Sequence, residues 1–247
     1  MLRARWLVRQ RWEDLLFAHW RVEPGELRPF LPARVEPDLY DGSAWVSVVA
    51  FVMLGTRAPG APRWAALGPI AELNVRTYVH VDGVRAIWFL SLDASSSLFA
   101  NLGRVLYGLS YRVSRMAAAT ENGRIHYLSA CRQAAFAAIY RPSGPRFLAR
   151  PGSLEHFLVE RYRLFAERNG RLITATVAHE PWPMRAAEAR IEVNRMAPPG
   201  LVFRGPPLVH FADGVDALIS VPALVGPQPA RTALRPFAWT SKQAEGV

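Results

Sequence analysis

The stretch from Glu72 to Val81 constrains this chain more than any other. Glu72, Asn74, Arg76, Tyr78 and His80 alternate with Leu73, Val75, Thr77, Val79 and Val81. A strict period of two marks a β-strand with two unlike faces, one apolar and one carrying ionisable groups. Asp82–Gly83 then supplies a two-residue turn, and Ala86–Leu92 runs back as an apolar hairpin partner. Two placements of the polar row stay open. It is a solvated outer face, the common fate of one side of an antiparallel sheet, or it lines the inside of a closed one. Glu72 and Arg76 stand about 13–14 Å apart along the strand, so they would bracket a ligand rather than pair.

The rest of the chain is cut into similar short runs by scattered proline and glycine. Strands are expected at Trp12–Val22, Ala44–Leu54, Leu109–Ala118, Arg124–Cys131, Ala134–Tyr140, Leu172–His179, Ala187–Val193 and Val215–Val221. Gly25–Leu31 reads as a short helical turn. Ser95–Tyr107 reads as a helix stopped by Gly108. The strongest helical pattern is Leu154–Asn169, with Ser153 placed to cap it, an apolar stripe through Phe157, Leu158 and Phe165, and Gly170 after its end. Strands that do not alternate regularly with helices argue against a βαβ sheet and for a β-rich α+β fold. No repeat or low-complexity linker divides the chain. One domain is expected over 1–230, followed by a loosely ordered tail over 231–247.

Composition narrows the class. Among 247 residues 51% are hydrophobic and 20% charged, a globular balance. The longest apolar run, Ala44–Leu54, is short of the roughly 18 residues a membrane span needs, and no signal-peptide pattern opens the chain. A single cysteine, Cys131, fits a cytoplasmic protein and excludes an internal disulfide or a thiolate-clustered metal site. The net charge of +10 is almost wholly arginine, with Lys242 the only lysine. The arginines are scattered and no nucleic-acid motif accompanies them, so nucleic acid is not an expected partner. The six histidines show no short ligand spacing, and no metal or other cofactor is expected.

Two other features bear on chemistry. His179 ends a strand and leads into Glu180-Pro181-Trp182-Pro183. It reads either as a proton shuttle held by a rigid turn or as a packed corner. Arg161, on an apolar stripe, must be paired, face a polar cavity, or snorkel to the helix edge.

Several ordered motifs then carry a resemblance. They are Leu15-Leu16-Phe17-Ala18-His19-Trp20, Leu27-Arg28-Pro29-Phe30-Leu31-Pro32, Asp41-Gly42-Ser43-Ala44-Trp45-Val46, Glu72 through Val79, Ser91-Leu92-Asp93-Ala94, Glu160-Arg161-Tyr162 and His179 through Pro183. Together they resemble the YqjF-like bacterial family of unknown function, itself similar in fold to acetoacetate decarboxylase. The resemblance implies a closed antiparallel β-barrel or cone, with a few covering helices, around a cavity. It also implies a Schiff-base lysine near a Gly-x-Pro segment after a helix. The nearest counterpart here, Gly108-Leu109-Ser110-Tyr111-Arg112, has none, and arginine stays protonated and cannot replace it.

The expected ligand is therefore a small keto or hydroxy acid, held without a Schiff base. Arg76, Arg104, Arg112 and Arg161 are the candidates for bidentate carboxylate recognition. Asn74, Tyr78, Tyr111 and Trp182 are expected to complete the binding walls, and Glu72 and His179 are the candidate acid/base groups. A lyase, hydratase or isomerase-like proton transfer is one reading. A non-catalytic binding or sensing protein on the same fold is the other. Sheet edges and apolar faces would allow a homo-oligomer, though nothing in the sequence specifies one.

Overall fold

The computed structural model describes residues 5–226; the expected tail over 231–247, with Lys242, lies outside them. Fourteen strands and three short helices follow in order. The first half holds β1 (Trp6–Val22), α1 (Pro24–Leu27), β2 (Glu36–Pro37), β3 (Ala44–Arg57), β4 (Ile70–Val81), β5 (Val84–Ala94) and α2 (Ser97–Tyr107). The second holds β6 (Tyr111–Val113), β7 (Arg115–Glu121), β8 (Arg124–Ala130), β9 (Ala135–Phe147), α3 (Leu154–Val159), β10 (Arg163–Arg168), β11 (Arg171–Ala178), β12 (Met184–Arg195), β13 (Leu208–Ser220) and β14 (Ala223–Leu224).

One sheet joins all the strands. The run β11–β10–β5–β4–β3–β1–β13 closes on itself where Val177 and Ala178 of β11 pair with Ile219 and Leu218 of β13. The result is a closed, cone-like ring. From β13 the sheet continues through β12, β9, β8 and β7. This extension folds back over the outside of the ring. Ile125, Tyr127, Phe136, Ala138 and Tyr140 pack there against Leu16 and Ala18 of β1, Val46 and Val48 of β3, and Leu73 and Val75 of β4. Pairing is antiparallel except at two junctions, β5 with β10 and β5 with β6, where the chain re-enters the sheet after a helix.

This double cover decides the fate of the polar row. The apolar side of β4 is the outer one, buried under the extension, so the ionisable side faces the ring interior. Glu72, Asn74, Arg76 and Tyr78 are all buried there, while His80 is partly exposed. Asp82 and Gly83 both have positive φ, 51° and 77°, as the two-residue turn between β4 and β5 requires.

The expected helix Leu154–Asn169 is corrected by the structure. α3 stops at Val159, and Arg163–Arg168 is a strand paired antiparallel with β11. Asn169 and Gly170, with φ of 52° and 68°, form the hairpin turn between them. Asn-Gly between two strands is a hairpin signal, and Gly170 turns the β10–β11 hairpin rather than ending a helix. Ser153 does cap the short helix, its hydroxyl accepting from the His156 amide.

Strand β1 also carries a feature with no signal in its apolar pattern. Asp14 has φ 56°, and the pairing with β3 slips between Glu13 and Leu16. This bulge switches faces. Val8, Gln10 and Trp12 point inward before it; Leu15 and Phe17 point inward after it.

Candidate functional site

Inside the ring lies a cavity of about 170 Å³, several times the space a single water needs. β1, β3, β4 and β5 supply one wall. α2 covers it with Phe99, Leu102, Gly103, Leu106 and Tyr107, and His179 and Trp182 close another side. The lining is mostly apolar, with Gln10, Thr56, Glu72, Asn74, Arg76, Arg161 and His179 as the charged or polar side chains outside its aromatic residues.

Glu72 is 4% exposed. The Tyr111 hydroxyl donates to its Oε2 at 2.7 Å, and the Asn74 amide donates to Oε1 at 3.3 Å. Burial outweighs these bonds and pushes its carboxyl up to about 7, with Asp93 adding to the rise. Burial likewise keeps the Tyr111 phenol well above its ordinary range, with the Glu72 carboxylate adding to it, so Tyr111 stays a donor. The contact depends on α2 lying close. A Cβ on Gly103 would stand 2.5 Å from the Tyr111 ring, so any larger residue would displace it.

Arg76 is 8% exposed and has no carboxylate partner among the described residues. Its Nη2 donates to the Leu158 carbonyl at 3.3 Å, and its buried Nε has no partner. The guanidinium lies 5.5 Å from the Phe17 ring centre, a cation–π contact that only partly replaces water. A buried, unpaired cation facing an apolar cavity is a costly arrangement.

Arg161 is balanced differently. Its Nη1 pairs with Asp38 Oδ2 at 2.7 Å, its Nε donates to the Phe157 carbonyl, and its plane lies over Phe157 and Tyr78. Asp38 is shared with Arg85 at 3.1 Å. Arg161 thus lines the cavity with its charge already met.

His179 lies with Nδ1 2.6 Å from the Glu180 carbonyl. A carbonyl only accepts, so that nitrogen carries the proton and Nε2 is left as an acceptor. Burial, with the nearby Arg76 charge adding to it, lowers its pKa to about 4 against the opposing Glu180 bond, so the ring is neutral near pH 7. Tyr162 and Trp182 pack on it, and Trp12 stacks on Trp182 at 6.0 Å.

Two expected ligand residues stand elsewhere. Arg104 is on the exposed side of α2, bound to the Tyr111 carbonyl and Asn101. Arg112 turns away into an ion pair with the fully buried Asp93 at 2.5 Å. In both cases a nearer protein acceptor takes the guanidinium. Tyr78 points into the ring but packs beside the cavity rather than lining it. Its hydroxyl bonds Ser47 at 2.6 Å, and Ser47 bonds His19 Nδ1 at 2.6 Å. Residues the sequence did not single out are Gln10, Trp12, Phe17, Phe51, Phe99 and Tyr107. The Leu15–Trp20 motif was the one pointer to this region.

Among the described residues no cluster of three or more metal-ligating side chains occurs, and no helix is long and apolar enough to cross a membrane.

The ring, its outer extension and the covering helix define an acetoacetate decarboxylase-like fold. Enduracididine biosynthesis enzyme MppR, solved with pyruvate, superposes with a TM-score of 0.67 over 90% of this chain and 91% of its own, at 11% identity. An acetoacetate decarboxylase-like enzyme from Sphingomonas wittichii RW1 gives 0.62 over 89% and 93%, at 14% identity. The DUF2071 family, described as an uncharacterized conserved protein, matches residues 9–216. Uncharacterized protein YqjF of Bacillus subtilis (strain 168) is 37% identical over 218 residues, 86% of this chain and 90% of its own. The chain belongs to the DUF2071 family.

Proposed function

We propose that the cavity binds a small organic acid through Arg76 and that Glu72 moves a proton on it without a Schiff base. The observation that carries this reading is the unpaired guanidinium of Arg76. A carboxylate is the group that matches its fork, and it would satisfy the free Nε and the charge together. MppR, with the same fold, has been solved with pyruvate, a keto acid of the size this cavity suits.

Glu72 supports a chemical role because its pKa of about 7 lets it both take and give a proton near neutral pH. With Arg76 holding the carboxylate, Glu72 would abstract a proton from the carbon chain of the bound acid. Tyr111 donates to Glu72 and would steady the carboxylate form. His179 would accept a hydrogen bond from a hydroxyl or enol at Nε2. The segment Gly108–Arg112 contains no lysine, so an amine intermediate is not part of this scheme. Lyase, hydratase and isomerase reactions all share this proton step.

The test is proton exchange. Small 2-keto and 2-hydroxy acids are incubated with the protein in deuterium oxide and followed by proton NMR. Loss of a carbon-bound proton signal with the wild type, absent with Glu72→Gln, is the expected result. The missing lysine also favours a second reading, binding without turnover. An acid that raises the melting temperature yet is recovered with all its protons would establish that reading instead.

A further inference from the structure

On the outside of the ring, back to back with one end of the cavity, Arg9, Arg11, Arg57 and Arg63 surround a cleft with Asp216 as its one acidic wall residue. Alternation along β1 creates the two sides: Val8, Gln10 and Trp12 line the cavity, while Arg9 and Arg11 point out. The end of β3 and the loop after it do the same, with Thr56 and Leu67 on the cavity and Arg57 and Arg63 on the cleft.

We propose that this cleft is a binding site for the phosphate groups of a nucleotide-like small molecule, separate from the acid-binding cavity. Arg9 and Arg57 are directly opposite each other in the β1–β3 register. Like charges so placed oppose strand pairing, and nothing local offsets them. The Arg57 side chain donates only to the Gly55 carbonyl. The Arg9 and Arg63 side chains make no hydrogen bond or ion pair among the described residues. Arg11 meets Glu13 at 3.2 Å and Asp216 at 4.0 Å, both on the exposed rim. Four guanidiniums around a single wall carboxylate, three of them without an acidic partner, suit a multiply charged phosphate, which accepts several forked donors at once.

A second observation narrows the ligand. Trp64, next in the chain to Arg63 within a 3₁₀ turn, is 87% exposed. A bare indole beside a phosphate cradle offers a stacking platform for a base. The partly exposed, concave setting of the arginines favours a compact ligand over a long strand. A single-stranded nucleic acid is therefore the competing outcome rather than the proposal.

The test is calorimetric titration of the full chain with inorganic pyrophosphate, ATP and a single-stranded oligonucleotide, at two salt concentrations. Saturable binding of pyrophosphate and tighter binding of ATP are expected, each weakened about tenfold or more by Arg57→Gln. Trp64→Ala should weaken ATP and leave pyrophosphate unchanged. Arg57→Gln removes a like-charge contact, so its melting temperature should equal or exceed that of the wild type, which separates lost binding from lost folding. No binding of either phosphate, or binding unaffected by Arg57→Gln, would overturn the proposal. So would an oligonucleotide that binds far more tightly than ATP.

Discussion

Glu72 and Arg76 share one face of one strand, and both are held at a cost to the free protein. For Glu72 the sign is definite. Its folded pKa is raised to about 7 from an ordinary 4.5, so stability is greatest below about pH 4.5 and falls as pH rises to about 7. The span corresponds to roughly 3 kcal/mol. His179 runs the other way. Its pKa, lowered to about 4 from 6.5, means stability is lost as pH falls through that interval. The two slopes oppose each other between about pH 4.5 and 6.5, but His19 and His210, also lowered by burial, run with His179, so in denaturant melts the wild type should gain stability with rising pH there, less steeply than Glu72→Gln. Glu72→Gln should uncover the histidine slope and be more stable than the wild type at pH 8, while losing any proton exchange. A wild-type-like pH profile in that variant would show that Glu72 is not the titrating group. Arg76→Met should likewise gain stability, about 1–2 kcal/mol, because a buried unpaired charge is replaced by a matching apolar chain. A loss of stability measured by the same melts would mean that Arg76 is satisfied in the free protein. The types of these residues and their shared face were legible in the alternation of β4. Which face was inside was not, because that depends on the distant strands β8 and β9 covering the other one.

At the scale of elements, α2 is the piece that joins fold to site. Ser96 caps it, Gly108 ends it with φ 64°, and Gly103 lets it settle on the Tyr111 ring. Gly103→Ala should cost about 1–3 kcal/mol from overpacking. It should also raise the Glu72 pKa further, since the Tyr111 bond that lowers it would be lost. Carbon NMR of the labelled Glu72 carboxyl reads that shift, and an unchanged titration would show that Tyr111 does not depend on the helix. The limits of α2 were readable because cap and stop residues act locally. α3 and β10 were not separated, since Leu154, Phe157, Leu158 and Phe165 fit a helical stripe even though the last of them is a strand residue. Tertiary pairing with β11 decided the matter. The Asp14 bulge was hidden for a related reason: a face switch leaves the apolar count of β1 unchanged and shows only in its pairing.

For the whole molecule, closure of the ring is uneven. β1 pairs with β3 and β13 along most of its length, whereas β10 meets β5 through Leu164 and Phe165 alone, and β11 meets β13 through Val177 and Ala178. The β10–β11 hairpin is the most weakly held stave of the ring, and Leu164 and Val177 line the cavity. Its amides should exchange with solvent faster than those of β1, β3 and β4. Uniform protection across the seven strands would contradict this. A resemblance spread along the chain gave the closed sheet, but strand order and the weak seam are set by long-range pairing that no local pattern encodes.

Arg76 is the proposed receptor for a carboxylate inside the ring. The most direct measurement is the thermal shift produced by a panel of small keto and hydroxy acids, pyruvate included, on the wild type and on Arg76→Met. At least one acid should raise the wild-type melting temperature, with the shift abolished in the variant although the variant itself is more stable. An equal shift in both proteins, or none in either, would contradict the assignment.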